Sequence, residues 1–345
     1  MRFIHTADLH LDAPVRGLAQ RTLVRREALA TLDRMIGYAR REQIGYMVIA
    51  GDLFDTPCPA AGILGAVKEM LETAPLTFFI APGNHDPWQG ERYLDTEWPD
   101  NVVIFGKNTE CFETKEGTFI GVGFYEGMRV HPLTPVPAKG EVKVAVVHGA
   151  LEENEVLHRI DATTLAALGA DYVALGHIHK GEDPHPVTGT WVGNCGSPAP
   201  HGFDETGERS FLDIEINGGG LQWRRIATEG VRFWEESIEI TESDSHSDIL
   251  GRLTVRAARY GEKDIFRFRL RGSTLCSLPT ALEDYPSLVE IIDETTLPLS
   301  LETVAREQSL RGYFAAEMLR RIQQAPAEQK HKYEAALRLG MEAFE

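Results

Sequence analysis

Five short segments of the 345-residue chain carry carboxylate, imidazole and amide side chains in combinations that could bind metal ions. They are Asp8-Leu9-His10, Gly51-Asp52-Leu53-Phe54-Asp55, Gly83-Asn84-His85-Asp86, His148-Gly149 and Gly176-His177-Ile178-His179. A lone Asp-x-His or Gly-Asp is usually a turn or a cap. Here every segment follows an apolar run, and loops at strand ends hold side chains over a rigid sheet. Together the five segments therefore predict one shared metal site.

The donor types restrict the chemistry of that site. A mixture of carboxylate, imidazole and amide oxygen suits manganese, iron or zinc better than calcium, which prefers oxygen cages, or a thiolate-bound structural zinc. An Asp can bridge two ions through its two oxygens. Two ions roughly 3.5–4 Å apart clamp the attacking and departing oxygens of a phosphoryl centre and acidify a shared water.

The apolar runs before these segments are short enough to be strands that are buried on both faces. The predicted strands are Arg2–Thr6, Tyr46–Ala50, Thr77–Ile80, Val142–Val147 and Tyr172–Leu175. The glycines at 51, 83, 149 and 176 are expected to permit the turns that expose the ligands. Apolar residues at helical spacing predict helices over 25–41 and 60–73.

From residue 102 onward, strands predominate. They are predicted at Val102–Phe105, Thr118–Phe124, Trp191–Asn194, Ser210–Ile216 and Leu221–Ile226, with one helix at Thr163–Leu168. Alternating β and α elements followed by mostly β elements predict an α/β fold of two sheets packed face to face, with helices outside.

The segments resemble the calcineurin-like metallophosphoesterase family. Phe3-Ile4-His5-Thr6-Ala7-Asp8-Leu9-His10-Leu11 and Gly51-Asp52-Leu53-Phe54-Asp55 are similar to the SbcD-type DNA-repair nucleases, and Ala7-Asp8-Leu9-His10-Leu11-Asp12-Ala13-Pro14 is closest to their YhaO-like branch. The resemblance is specific over roughly residues 1–215. It implies a four-layer α/β/β/α metallophosphoesterase sandwich.

The resemblance also implies which residues hold the metal ions. Asp8, His10 and His179 would hold the first ion, and Asp52 would bridge to the second. The ligands that complete the second ion would be Asn84, His148 and His177.

Three further positions near the metals take roles from the same resemblance. His85 would be the catalytic histidine that is not a ligand, and Asp86 would orient it. Asp55 would accept a hydrogen bond from a ligand imidazole and fix its tautomer. Gly196-Ser197-Pro198 with Phe203 and Glu205 also resembles a family loop beside the site, without an assigned chemical role.

The remaining histidines are expected to be structural or exposed. His5, on the inner face of the first strand, is predicted to be a core histidine with satisfied hydrogen bonds. The histidines in polar or loop-like surroundings are predicted to lie on the surface: His131, His158, His185, His246 and His331. His201, in the loop that contains Glu205, is left open.

Charge and cysteine usage restrict the partners and the compartment. A net charge of −17 argues against bulk attraction of nucleic acid, so a nuclease of this charge would need a partner to grip the phosphate backbone. The four cysteines form no close pair, which predicts no disulfide framework or zinc knuckle: Cys58, Cys111, Cys195 and Cys276. With no signal peptide or membrane-spanning stretch apparent, the expected compartment is the reducing cytoplasm, near the nucleoid.

Three domains are predicted: 1–228 with the dimetal site, a small capping domain at 229–299, and a helical segment at 300–345. The middle part reads as a β-α-β unit: Glu236–Ile240, a helix over about 247–258, and Ile265–Leu270. In the resembled nucleases, a small domain in this position caps the catalytic cleft.

The middle domain carries the one basic island of an acidic chain. Its members share helical spacing or one face of the next strand: Arg252, Arg256, Arg259, Lys263, Arg267, Arg269 and Arg271. Glu262 and Asp264 oppose them. A solvated face with ion pairs and a phosphate-contacting patch that steers nucleic acid both remain open.

The final segment reads as two helices broken near Pro326. Leu310, Phe314, Met318 and Ile322 form one apolar stripe, and Tyr333, Leu337 and Met341 form another. Such stripes form either core or an exposed docking surface. The resemblance implies docking on the coiled coil of an SMC-like, SbcC-type ATPase, and a homodimer through helices of the first domain.

Three functional hypotheses follow. The first is a DNA nuclease subunit of an SbcCD-like complex with two divalent ions, manganese first and iron or zinc as alternatives. The second is a phosphodiesterase for nucleotides or other small molecules. The third is a non-catalytic metal-binding regulatory subunit of an SMC-like ATPase. A phosphoprotein phosphatase is disfavoured, because Thr56-Pro57 and Asp86 stand where those enzymes place Arg-Gly and Glu.

Overall fold

A computed structural model describes the chain except for residues 14–20, 89–92, 94–95, 129–132, 138, 152–158, 219, 262, 283–288 and 345. Pro14, His131, His158 and Glu262 therefore lie outside the described residues. The chain divides into two compact units, Met1–Arg232 and Phe233–Glu345. The predicted three-domain division, with boundaries after residues 228 and 299, stays a prediction.

In the described part of the first unit, twelve strands form two six-stranded sheets. In chain order they are β1 (Arg2–Thr6), β2 (Tyr46–Ala50), β3 (Thr77–Ala81), β4 (Val102–Ile104), β5 (Glu110–Glu113), β6 (Thr118–Val122), β7 (Lys143–His148), β8 (Tyr172–Gly176), β9 (Glu182–Val187), β10 (Thr190–Asn194), β11 (Ser210–Asn217) and β12 (Gly220–Ala227). The first sheet has the order β12-β11-β1-β2-β3-β4, and the second has the order β5-β6-β7-β8-β10-β9. Strands β1 to β4 run parallel, as do β6, β7, β8 and β10.

The two sheets pack face to face through an apolar layer. The rings of Phe79 on β3 and Phe119 on β6 stack with centroids 3.9 Å apart, and Phe3, Val146 and Tyr172 fill the same layer. His5 points into this layer, where its ring contacts the Tyr172 hydroxyl at 2.9 Å and the Leu175 carbonyl at 3.0 Å. The prediction of a satisfied core histidine is confirmed.

Helices cover the outer faces of both sheets. On the first sheet lie α1 (Arg21–Arg41) and α2 (Ala61–Glu72), whose Met35 and Leu71 belong to the same buried cluster as the sheet residues Met47 and Phe78. On the second sheet lies α3 (Ala162–Leu168), which buries Leu165 against Val147 and Val173. The strands carry apolar residues on both faces because both faces are covered. The predicted α/β/β/α sandwich is confirmed.

Two strands of the first unit were not predicted. Strand β5 reads Glu-Cys-Phe-Glu and β9 reads Glu-Asp-Pro-His-Pro-Val, and both lie at sheet edges. An edge strand needs little apolar surface and tolerates proline and charge, so periodicity does not reveal it.

The second unit has one sheet and four helices among its described residues. Strand β13 (Arg232–Ile240), helix α4 (His246–Ala257) and strand β14 (Asp264–Gly272) match the predicted β-α-β unit, and β15 (Val289–Asp293) adds a third strand in the order β13-β14-β15. Helix α4 begins with a capping box between Ser245 and Asp248. The remaining helices are α5 (Ser300–Val304), α6 (Leu310–Gln324) and α7 (Ala327–Glu342).

The apolar stripes of α6 and α7 are core rather than an exposed docking surface. Met318, Ile322, Leu337 and Met341 are buried in one cluster, whereas Leu310 is 79% exposed. Of the two alternatives left open for these stripes, the structure therefore favours core, because α6 and α7 bury them. Among the described residues, no helix is both long and apolar enough to cross a membrane.

Candidate metal centre

The site lies where the carboxyl ends of five parallel strands meet. Asp8, Asp52 and Asn84 follow β1, β2 and β3 of the first sheet, while His148 ends β7 and His177 follows β8 of the second. Beyond the strands, the first two loops remain paired, because Asp8 N–H donates to the Gly51 carbonyl and His10 N–H to the Asp52 carbonyl, both at 3.0 Å. The loops therefore continue the sheet, and the side chains have a rigid base.

One group of donors surrounds the imidazoles of His10 and His179. The Nε2 atoms of these two rings lie 3.3 Å apart, and Asp8 offers a carboxylate oxygen within 4.8 Å of a ring nitrogen of each. Ring nitrogens this close, beside a buried carboxylate, form the arrangement that a cation would complete. These are the three residues predicted to hold the first metal ion.

A second group forms around Asn84. Its Oδ1 lies 2.8 Å from His148 Nε2 and 3.1 Å from His177 Nδ1. His148 Nδ1–H donates to the Ala50 carbonyl at 2.9 Å, which turns Nε2 toward the site, where a metal ion would take the place of its proton. The structure thus brings together the three residues predicted to complete the second metal site.

Asp52 lies between the two groups. Its Oδ2 is 3.7 Å from His10 Nε2 and 3.3 Å from His148 Nε2, whereas its Oδ1 accepts the His85 N–H at 2.9 Å. The same oxygen faces both groups. Asp52 is therefore the residue placed to bridge two ions, and its bridging role stays a prediction.

Glycines allow these loops to approach one another. A Cβ on Gly83 would lie 2.1 Å from Asp52 Oδ1, and a Cβ on Gly51 would lie 2.0 Å from the His148 ring. Gly51 also has a φ of +95°, which favours glycine, whereas Gly83 is not among the described residues with positive φ. At Gly83 the requirement is space rather than the expected turn.

Backbone strain concentrates at the same place. Of the seven non-glycine residues with positive φ in the described ranges, four are proposed ligands: Asp8, His10, Asp52 and His177. Such conformations cost about 1–3 kcal/mol each and persist where the surroundings impose them.

Buried negative charge gives the centre its affinity for cations. Asp8 and Asp52 are at most 1% exposed. Burial raises the pKa of Asp8 to about 6, and the neighbouring Asp52 carboxylate adds to the rise. Burial alone would lower the pKa of His148, but Asp52 outweighs it and raises that pKa to about 9. A proton on His148 thus supplies positive charge that divalent ions would replace, so the donor set fits metal ions.

His85 lies at the outer side of the centre. Its side chain is 45% exposed, and its ring contacts the His10 ring edge to face at a centroid distance of 4.7 Å. Its Nδ1 lies 3.3 Å from both the Asp55 carboxylate and the Asp55 carbonyl oxygen. The Asp55 carboxylate is also 3.2 Å from His10 Nδ1, so this one side chain lies beside the rings of both histidines.

Asp86 does not make the contact expected of it. Its Oδ1 accepts the Gly83 N–H at 2.8 Å, and its Oδ2 accepts the Phe54 N–H at 3.0 Å and the Tyr93 hydroxyl at 3.1 Å. The expectation that Asp86 orients the His85 ring is therefore wrong. The buried carboxylate holds two ligand loops together, and Asp55 contacts His85 instead.

No chemical role was predicted for Glu205, although the loop that contains it resembles a family loop beside the site. The Glu205 carboxylate accepts a short hydrogen bond from His179 Nδ1 and lies 3.4 Å from Nδ1 of His201. The His201 ring packs against His10 at 5.2 Å. The only sequence signal for this role was a cluster of polar residues in the loop. These residues have no distinctive spacing, so the sequence did not indicate that the loop returns to the metal centre.

The basic island of the second unit is largely paired with carboxylates, through five of its seven members. Its arginines pair as follows: Arg252 with Asp244 at 2.8 Å, Arg256 with Glu236 at 2.6 Å, Arg267 with Glu290 at 2.8 Å, Arg269 with Glu235 at 2.9 Å, and Arg271 with Glu294 at 2.9 Å. Strands β13 and β15 flank β14 and supply most of these partners, which the spacing along β14 could not reveal. The structure favours the solvated face with ion pairs over the phosphate-contacting patch.

Comparison with known proteins agrees with the geometry of the first unit. The chain is 28% identical over 303 residues to the uncharacterized metallophosphoesterase YhaO of Bacillus subtilis, covering 80% of this chain and 70% of that protein. It is 26% identical to the DNA double-strand break repair protein Mre11 of Methanopyrus kandleri, covering 89% and 76% of the two chains. It is 22% identical to an SbcCD nuclease subunit of Staphylococcus saprophyticus, covering 86% and 85%.

The model of the calcineurin-like phosphoesterase family matches residues 1–181. This range contains all five ligand segments, from Asp8 to His179, that the fold brings to one edge of the two sheets. Phosphoesterases of this kind use a dinuclear metal site, which is what the donor groups on either side of Asp52 could form. With more than half of its length matched and the site assembled, this chain belongs to the calcineurin-like phosphoesterase family.

Proposed function

We propose that the chain is a metal-dependent phosphodiesterase acting on DNA, and that it serves as the nuclease subunit of an SbcCD-like complex. The observation that carries the hydrolytic part is the convergence of two donor groups on Asp52 Oδ2, with the half-exposed His85 beside them. The choice of DNA is supported by similarity to Mre11 and to the SbcCD nuclease of Staphylococcus saprophyticus, whose names describe DNA repair and nuclease activity.

The proposed ligands are the seven predicted ones. Asp8, His10 and His179 would hold one ion, Asn84, His148 and His177 the other, with Asp52 between them. The donor set suits manganese first, with iron or zinc as alternatives. When bound, two such ions supply charge stabilisation at a phosphoryl group and acidify water.

The chain's own residues would position the substrate and stabilise its charge. The Asp55 oxygens that face Nδ1 of His85 favour a proton there, and no described residue is hydrogen-bonded to its Nε2. When the ring also carries a proton on Nε2, that N–H would donate to a phosphoryl oxygen or to the departing 3′ oxygen. The Asp52 carboxylate fixes the His85 backbone, so the proposed bridging and catalytic groups move together.

A partner is part of the proposal, because an acidic chain in which five of the seven basic residues of the island are already paired offers little free positive charge to DNA. We propose that an SMC-like, SbcC-type ATPase supplies that grip and docks on the exposed side of the C-terminal helices. Tyr313 is 68% exposed there and Leu339 is 62% exposed. The proposed compartment is the cytoplasm, at the nucleoid.

One observation favours a second candidate, a phosphodiesterase for nucleotides or other small molecules. A basic patch that contacts phosphates would serve DNA but not a small substrate. Because arginines of the basic island pair with carboxylates, this argument for DNA is weakened. A small phosphodiester would need only the metal centre and His85.

The experiment that separates these candidates measures manganese-dependent cleavage of labelled single- and double-stranded DNA beside a chromogenic phosphodiester. His85→Ala is the matched control, since its backbone contact to Asp52 remains. DNA cleavage that disappears in this variant supports the nuclease. Turnover of the chromogenic diester with DNA untouched, even with the ATPase partner present, would support the small-molecule enzyme.

A further inference from the structure

A loop from residue 201 to residue 209 holds His179 from two sides. The Glu205 carboxylate accepts a short hydrogen bond from the His179 ring at Nδ1. The guanidinium of Arg209, four residues further on, donates to the His179 carbonyl oxygen at 3.0 Å. One loop therefore fixes both the side chain and the main chain of a single proposed ligand.

His179 depends on such a contact more than the buried rings of His10 and His148 do. Its side chain is 36% exposed, whereas His10 is 3% exposed and His148 is fully buried. Burial restricts the latter two rings, whereas a ring with a third of its surface in solvent can rotate unless a contact holds it. The Glu205 contact supplies the constraint that packing does not.

The contact also selects the tautomer that a metal ion requires. A proton on Nδ1, shared with Glu205, leaves the Nε2 lone pair of His179 free. That Nε2 atom is the one that lies 3.3 Å from His10 Nε2 in the first donor group. The hydrogen bond thus points the correct nitrogen toward the place where an ion would bind.

Glu205 is itself held firmly. Its side chain is 6% exposed, its other oxygen accepts the His201 N–H at 3.2 Å, and Arg209 Nη2 lies 3.7 Å away. The His201 ring in turn contacts the Leu9 carbonyl at 3.2 Å, in the loop that carries Asp8 and His10. The carboxylate is therefore anchored to the same loop that carries the other two donors of the group.

We infer that Glu205 is a positioning residue for the first metal site, which acts by holding the His179 imidazole in its metal-binding tautomer and orientation. The inference rests on the proposed two-metal centre. Removal of a carboxylate that orients a ligand histidine lowers metal affinity by about 10–100-fold. The second donor group, around Asn84, makes no hydrogen bond to Glu205 among the described residues and should keep its affinity.

The test is a Mn²⁺ titration of the full-length chain, with bound metal counted by equilibrium dialysis and the spin coupling of the two ions followed by electron paramagnetic resonance. Glu205→Ala should bind one ion normally and the other about 10–100-fold more weakly, with loss of the coupled signal. Glu205→Gln should fall between, because its amide oxygen accepts the same hydrogen bond without the charge. Glu208→Gln is the matched control, since the side chain of that neighbouring acid is 70% exposed and its carboxylate lies 3.5 Å from Arg232 Nη1.

The outcomes separate this inference from the proposed function. If the unmodified chain binds fewer than two ions, the two-metal centre is wrong and the inference falls with it. If the unmodified chain and a folded Glu205→Ala bind two ions with equal affinity, only the inference is overturned. Should Glu205→Ala fail to fold, the near-isosteric Glu205→Gln decides: an affinity equal to that of the Glu208→Gln control overturns the positioning role.

Discussion

At the scale of single residues, the two oxygens of Asp52 have separate tasks. Oδ1 accepts the backbone N–H of His85, and Oδ2 faces an imidazole from each donor group. The proposed bridge between metals and the proposed catalytic histidine are therefore linked through one buried carboxylate. Substitutions at Asp52 and at His85 should have different consequences.

We expect His85→Ala to keep both metal ions and to lose about 10²–10⁴-fold in turnover, the usual contribution of a positioned acid–base group. Asp52→Ala should lose metal binding itself, because it removes a buried carboxylate whose Oδ2 faces an imidazole of each group. Metal analysis after dialysis, beside hydrolysis of a chromogenic phosphodiester, measures both effects. A metal-free His85→Ala would make His85 a ligand, a role its place beside His10 and Asp52 also allows.

Substitutions at Asp55 and at Asp86 should also have different consequences, one for turnover and the other for stability. Asp86→Asn would point amide hydrogens at the N–H groups of Gly83 or Phe54, so we expect it to lower the free energy of unfolding by about 1–3 kcal/mol. Asp55→Asn should cost turnover instead, because Asp55 lies beside His85 and His10. Urea unfolding and turnover per folded molecule separate the two. Equal losses of turnover would restore an orienting role to Asp86.

At the scale of elements, the loops after β2 and β3 pack so closely that only glycine fits between them. We expect Gly83→Ala to displace Asp52, since the new methyl group would lie 2.1 Å from Oδ1, and to abolish metal binding and turnover. Gly65→Ala, on the exposed side of α2 with open space around it, is the control and should stabilise the protein by about 0.5–1 kcal/mol. Intact metal binding in Gly83→Ala would mean that the loops separate easily.

The strands β1, β11 and β12 are joined by a buried carboxylate. Asp213 is 3% exposed and accepts hydrogen bonds from Arg2 at 2.8 Å, Arg224 at 2.7 Å and Tyr38 at 2.8 Å. Burial alone would raise the pKa of Asp213, but these partners outweigh it and hold the pKa below its ordinary value. A lowered pKa means that the carboxylate stabilises the fold above its unfolded pKa of about 3.9, and that this stability is lost as the pH falls.

We therefore expect Asp213→Asn to lower the free energy of unfolding at pH 7 by about 1–3 kcal/mol, since the arginines lose a charged partner. Between pH 7 and pH 3 the variant should lose less stability than the unmodified chain, because it lacks the titrating group. Urea unfolding at several pH values measures both effects. Parallel pH curves for the two proteins would contradict the assignment.

At the scale of the whole molecule, the metal centre and the fold of the first unit should stabilise each other. Four proposed ligands have positive φ, and two carboxylates are buried side by side, so the metal-free chain bears a cost that bound ions would relieve. The second unit, Phe233–Glu345, carries none of the proposed ligands.

We expect Mn²⁺ at about 100 times its Kd to stabilise the first unit by about 2.7 kcal/mol per site, and a chelator to reverse this. Differential scanning calorimetry should show one transition that moves with metal and, if the units unfold separately, a second that does not. Asp52→Ala should show no metal-dependent shift. A shift of equal size in that variant would place the stabilising ions elsewhere.

Much of the site could be predicted from the sequence because its signals are local. A buried strand that ends in Gly-Asp or Gly-Asn-His-Asp is readable from a few adjacent residues, and five such segments imply one sheet edge. The donor types, their order along the chain, the helices α1 and α2 and the two-sheet fold all follow from patterns within about 20 residues. These features depend on the spacing of residues along the chain, which can be read directly from the sequence.

The tertiary structure decided what depends on neighbours that are distant in the chain. Glu205 meets His179 across 26 residues, Asp86 reaches back to Phe54, and Arg267 and Arg269 of β14 pair with carboxylates on β15 and β13. The polar edge strands β5 and β9 form because a sheet already stands beside them. Residue types alone determine which contacts are chemically available, but sheet register and loop packing select among them, because both depend on the whole fold at once.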